Sequence, residues 1–424
     1  MWCRLLLSSA SPMRQIQRPR LSACCLVLSA VGPLVAQATW VVPNGADLAP
    51  YIAQAAPGDT LLLGAIHPLF SLQKGLTIRP ASGRTTITLL GFNFACQIQV
   101  PAGQQAHLME LDFDSTSYWA WNGMNPVTAA GLVGFEDCTF RASPSSSGGA
   151  AVTVASGAVT FRGCSIEGVQ RSHGLIVQSG VCSLVDCTLS GSPGLPAGFT
   201  YHSPGYAAWV SGGVLYASHS TFTPGASALT SASTPIGPAP GLLVFAGRAV
   251  VANCTIRGGN YPLGAAVMPP YTGASAIDVR SGASASHARC TLLPGSGNPA
   301  GAPTIGNAVV DANLVGITSS GGLRLGTSWT VTATAGASGQ LLGFAFWFDL
   351  APTSLVPLVP EPAWGSPASA LLVNLTVPGA SVAVPYTVAI PNTSALVGTF
   401  LWTQAFQLEL PRLRASAVAG GMLR

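Results

Sequence analysis

The hexapeptide FEDCTF at 135–140 comes back along the chain as FRGCSI, LVDCTL, VANCTI and HARCTL. Aligned on the cysteine, the series is Leu111, Cys138, Cys164, Cys187, Ser220, Cys254, Cys290 and Ala312, with steps of 27, 26, 23, 33, 34, 36 and 22 residues. Two positions later stand Phe113, Phe140, Ile166, Leu189, Phe222, Ile256, Leu292 and Leu314, and the residues between the two columns are nearly all polar, Thr139, Ser165 and Thr188 among them. Small, polar, large with a period of two is the mark of a strand with one buried face. Three residues ahead of the cysteine column runs another apolar one, with Phe135, Phe161, Leu184, Val251 and Val309. One residue ahead falls Asp137, Gly163, Asp186, Asn253 or Asp311, types that accept the unusual φ of a sharp bend.

Each repeat is therefore strand, bend, strand, and one repeat cannot bury its apolar face alone. Coils stacked about 4.8 Å apart would bond each strand to its counterpart in the next coil. The shortest step, 22 residues, is one circuit, and the longer steps carry loops. The pattern resembles the right-handed parallel β-helix family that includes the pectate-lyase-like proteins, over roughly residues 40–320. The expected fold class is all-β: a right-handed parallel β-helix over 39–322, then a small antiparallel β-sandwich over 323–424. At the start, LAPYIAQAAPGDTLLL predicts a short helix closing the open end, with GDT opening the first strand and KGLTI in the next coil.

The cysteine column asks for a small inward side chain rather than for sulfur, since Leu111, Ser220 and Ala312 share it. Disulfides along the file are disfavoured, because stacked Cβ atoms sit near the strand spacing of about 4.8 Å, beyond the roughly 3.5–4.5 Å of a bridge. A straight file of ligands also cannot surround a metal ion tetrahedrally. Buried free thiols acting as small hydrophobes are expected.

Residues 1–38 read as a secretory leader: Arg14, Arg18 and Arg20, the apolar run LSACCLVLSAVGPLVA, and a small-x-small site at Ala36-Gln37-Ala38. Met13 offers a tidier start than Met1. Cleavage near Ala38 removes four of the 18 Lys and Arg and none of the 14 acids, so the formal charge falls from +4 to zero. That excludes a basic surface for nucleic acid, and no later stretch has the roughly 18 apolar residues of a membrane helix. An extracellular or cell-surface protein is expected. Beyond 322, SWTVTATA, LLGFAFWFDL, ALLVNLTV and the strands after them alternate like a sandwich. The segment from VAVPYTVAIP to FQLE is similar to a C-terminal module of secreted planctomycete-type bacterial proteins, whose role here would be to cap the open helix end, attach the protein to a surface, or direct sorting.

The β-helix resemblance implies a polysaccharide lyase or hydrolase, which needs clustered carboxylates and, for the lyases, calcium and a base. Only eleven acids lie in 39–322, and the one cluster is Glu110, Asp112 and Asp114 with Glu136 and Asp137 a coil later. Asp114, Arg141 and Glu167 share an outward column of alternating sign, a surface salt-bridge ladder. Glu110, Asp137, Asp186 and Asp311 stand at bends. Asp112, Asp114, Asp137 and His173 are thus weak catalytic candidates, and calcium enters only under the lyase alternative. The long insertions follow the cysteine strand, so their loops leave along one edge, and they are rich in rings: Tyr118, Trp119 and Trp121, then Phe199, Tyr201 and Tyr206, then Tyr261 and Tyr271. Such faces stack on sugars, and loops poor in charge suit neutral glycans; alternatively the rings fold back over the apolar flank. The expectation is a carbohydrate-binding or structural protein, with an extracellular-glycan enzyme and a ligand-free adhesive spacer as alternatives.

Overall fold

The computed structural model describes residues 37–88, 96–114, 127–141, 149–169, 172–194, 203–227, 237–261, 272–336, 340–348, 364, 371–409 and 412–424. The chain is nearly all β, 53% strand and 3% helix, with long parallel ladders. Three walls make up the parallel β-helix. The first runs from Thr39–Val42 to Ala308–Val310, the second from Ile66–Pro68 to Thr291–Leu293, and the third from Ser71–Leu72 to Thr304–Ile305. Each coil passes along the first wall, turns a tight corner into the second, crosses a loop of variable length to the third, and returns through a short turn.

The repeat read from the sequence is the first-wall strand, the corner and the second wall. Asp112, Thr139, Ser165, Thr188, Thr221, Thr255 and Thr291 lie in one register. The corner residues Glu110, Asp137, Gly163, Asp186, His219, Asn253 and Arg289 all have φ between +49° and +62°. This left-handed conformation turns the chain within one residue, and Asp, Asn and Gly adopt it more readily than most types. Inside, like side chains stack: Phe113 on Phe140 and Phe135 on Phe161, each with ring centroids 5.0 Å apart.

The repeat ends sooner than its spacing suggests. Val310, not Val309, pairs with His287 in the inward column, and Asp311 has no left-handed φ. Ala312–Leu314 form no further rung, because Leu314 is buried in the core of the C-terminal sandwich. At the other end, Thr39–Val42 precedes the helix Ala49–Gln54 and already forms a rung against Thr60–Leu63, so the GDT strand is the second rung rather than the first. Leu48 and Ile52 carry that helix onto the core, and Lys74 Nζ donates to its final carbonyls, Ala53 O at 2.7 Å and Ala55 O at 2.9 Å.

The sandwich begins at Gly316–Ser320, ahead of the expected 323. One antiparallel sheet orders Gly316–Ser320, Ser328–Thr334 and Ala383–Ala389. The other orders Leu371–Thr376, Leu341–Trp347, Phe400–Glu409 and Arg412–Met422. Trp329, Val331, Phe344 and Phe346 lie between them, in a cluster that also takes in Val185, Tyr216, Val250, Ala252 and Ala288 of the first wall. The module therefore lies along the outer face of the first wall. The final coil stays open, with Val309 53% and Val310 71% exposed.

Candidate functional site

The corner column is where the module meets the helix, and most of the acidic cluster is consumed there. Glu136 projects outward from the first wall, 1% exposed, and pairs with Arg162, with Arg424 Nη2 at 2.9 Å and with His107 Nε2 at 3.3 Å. Burial pushes its carboxyl up, but Arg162, the His107 hydrogen bond and Arg424 outweigh that and hold it at about 2. Arg424 Nη1 also reaches Glu110 Oε1 at 2.5 Å. His107 in turn packs against Phe400 and Trp402 of the module, centroids 5.2 and 6.0 Å away. Further along the column Asp186 accepts from the Thr318 hydroxyl at 2.6 Å, and Arg289 Nη2 donates to Leu314 O at 2.6 Å. Corner side chains thus latch the module to the helix.

The weak catalytic candidates are dispersed by this arrangement. Asp112 binds Arg84 at 2.5 Å; burial raises its carboxyl, but the Arg84 hydrogen bond wins and lowers it. Asp114 stands in register with Arg141 and Glu167, and Arg141 Nε meets Glu167 Oε2 at 3.1 Å on an exposed face. Asp137 is different. Its side chain is half exposed, Arg424 Nη2 lies 3.9 Å from its Oδ2, and burial raises its carboxyl. It lines a groove of about 620 Å³ with Arg84, Glu110, Thr139, Ser165 and Arg324. Among the described residues, no group of three or more His, Cys, Asp or Glu is placed to hold a metal ion.

The cysteine column has a reason beyond size. Cys138, Cys164, Cys187, Cys254 and Cys290 each donate S–H to the carbonyl two residues earlier, at 3.3–3.4 Å, and the Ser220 hydroxyl makes the same bond to Ser218 O at 3.0 Å. That carbonyl already accepts the corner N–H of the preceding coil, as Glu136 O does from Glu110 N at 2.9 Å, and the small donor adds a second bond to its other lone pair. All seven described cysteines are free thiols. Burial pushes Cys138, Cys164 and Cys254 well up, which keeps these thiols protonated.

The outer face of the third wall carries a second concentration of aromatic and charged side chains. Its outward file in register is Thr153, Ile176, Trp209, Leu243, Asp278 and Ile305. His173 begins one of these strands and stacks on Tyr206, centroids 4.7 Å apart and planes within 10°. Trp209 meets both rings edge-on, at 5.4 Å from His173 and 6.0 Å from Tyr206. The Tyr206 backbone N–H donates to His173 Nδ1 at 3.0 Å, and burial lowers this imidazole to about 4. His173 is therefore neutral at pH 7 and acts as an aromatic support, a poor proton carrier.

Tyr206 is half-buried, on the insertion edge. Tyr261 is buried, 6% exposed, so this ring folds back onto the protein. Tyr118, Trp119, Trp121, Phe199, Tyr201 and Tyr271 lie outside the described residues. Sequence reasoning missed Trp209, Asp278, Arg280, Arg324 and Arg424. Trp209 in AAWV and Asp278 in AIDV carried a signal, each a bulky or charged residue between two inward positions of a buried strand.

No family model matches the chain, and no curated protein matches it.

Proposed function

We propose that this chain is an extracellular or surface-associated β-helix protein that binds carbohydrate along the outer face of the third wall. The observation that carries this reading is the Tyr206–His173–Trp209 cluster, set beside the loops that join the second wall to the third. Ring faces that are stacked and held by a backbone hydrogen bond are rigid, so little side-chain entropy is lost when a sugar packs on them. The leader-like start at 1–38 and the near-absence of charge in the loops support secretion and an uncharged ligand. The likeness of the repeat to the pectate-lyase-like β-helices supports a glycan rather than a nucleic acid.

The test is retention of the purified protein on insoluble polysaccharides, with reducing and unsaturated ends measured in the same tubes, with and without calcium. Retention without product, weakened by Tyr206→Ala, supports a binding protein. Failure to bind across the panel leaves a structural spacer.

A second reading, a glycan hydrolase, is favoured by Asp137 alone. Its carboxyl is raised while that of the adjacent Glu136 is held low, and it opens into the groove beside Arg84 and Arg324. Product formation that disappears in Asp137→Asn would establish that reading.

A further inference from the structure

The last coil of the β-helix consists of Thr291–Leu293, Thr304–Ile305 and Ala308–Val310. Each of these strands pairs with the coil before it and, among the described residues, with no strand beyond it. Along the inward column of the first wall, exposure climbs from 0% at Val251 to 8% at His287 and 71% at Val310. Val310 therefore stands in a core position with no coil above it. Val309, Ile305 and Leu293 are exposed as well, so the apolar patch takes in all three walls. A strand paired on one side leaves half of its backbone N–H and C=O groups unmatched, and this edge adds them to the patch.

The chemistry of this end selects what covers it. Residues 291–310 contain no charge, and the flanking Asp311 is neutralised by Arg414. The three strands also contain no lysine and no proline, residues that commonly blunt an edge against pairing. A surface that meets its own copy across a two-fold axis is set opposite its own charges, so an uncharged apolar end can face itself without repulsion. An axis through the middle of the first wall pairs Ala308–Val310 with its own copy, antiparallel, which matches the free edge groups. The same axis lays the third wall of each copy over the second wall of the other, so that Ile305 meets the Leu293 side. The opposite end of the helix is closed, because Leu48 and Ile52 seat the Ala49–Gln54 helix on the core there. A third molecule cannot continue the stack, and association stops at two.

We infer that the open coil 291–310 is a dimerisation face, on which a second copy of this chain is seated end to end with Val310 and Ile305 buried between the two. This inference is independent of the glycan-binding reading.

The test is light scattering and sedimentation velocity on the purified protein across a dilution series. Twice the chain mass is expected at high concentration, falling to the single-chain mass on dilution. Val310→Lys puts a charge at the centre of the face, at a position that a single chain leaves open to water. Its melting temperature should match that of monomeric wild type, while association should weaken about tenfold or more. Ile305→Lys is the second variant, and decides alone if Val310→Lys does not fold. Val41→Lys is the control, exposed at the closed end, and should associate as the wild type does. A single-chain mass at every concentration overturns the dimerisation face. So do assemblies larger than two, an unchanged dimer in both lysine variants, or a dimer lost in Val41→Lys alone.

Discussion

Glu136→Gln tests the latch between the helix and the C-terminal module. The carboxyl of Glu136 is lowered from 4.5 to about 2, which at about 1.4 kcal/mol per unit is worth about 3 kcal/mol of stability. Because the folded-state value is the lower one, this contribution is complete above about pH 4.5 and is lost as pH falls toward about 2. Glutamine keeps the shape but leaves Arg162 and Arg424 facing each other with their side chains only 12% and 15% exposed. Removing one partner of a buried ion pair costs about 3–5 kcal/mol at neutral pH. The assay is urea unfolding followed by circular dichroism at pH 7, 5, 4 and 3. The gap between wild type and variant should narrow by about 2 kcal/mol between pH 5 and pH 3, since glutamine does not titrate. Asp137, whose carboxyl is raised by burial and also by the Glu136 charge, contributes in the opposite sense; part of that rise goes with Glu136 in the variant, which makes the narrowing somewhat smaller. A gap that stays constant with pH would refute the ion-pair account and leave only packing.

Three further outcomes are expected. Cys187→Ser should lie within about 1 kcal/mol of wild type by thermal melting, since a hydroxyl can replace the thiol bond to Val185 O, whereas Cys187→Leu should cost about 1–3 kcal/mol by overpacking; equal effects would remove the donor argument. Gly163→Ala should lower stability by about 1–2 kcal/mol, because φ is +62° and the added methyl meets Asp137 Oδ1. The His173 imidazole resonance should titrate near pH 4, and its contribution to stability, complete above 6.5, should fall as pH drops from 6.5 toward 4. A midpoint near 6.5 would mean that the ring is open to water.

The second wall and its corner were legible because they are local. Cys-Thr-apolar at period two and an Asp, Asn or Gly just before it describe four consecutive residues, and each corner has the φ those types accept. Even there, the local pattern added a rung at Ala312–Leu314 that does not form, because Leu314 is buried in the sandwich core instead of another coil. The buried thiols were legible as small core residues, but their bond to the corner carbonyl was not, since it depends on backbone direction.

The acidic residues show the limit most clearly. Glu110, Glu136 and Asp137 are neighbours by repeat spacing alone, and on that basis they resemble a cation or catalytic site. Arg424, far along the sequence, decides otherwise by entering the cluster and pairing with Glu110 and Glu136. The first wall did advertise its covered outer face, in runs such as RAVVA, where both faces are apolar. Which element would cover it was not local information.

Repeat periodicity by itself determined that this chain winds into stacked parallel coils, because strand alternation and corner conformation are set within a few bonds. Tertiary structure alone decided what the outward side chains do. Trp209 and Asp278 come within two rungs of each other, and Arg424 reaches Glu136, through chain closure over long separations, where the energy lies in contacts that no local pattern specifies.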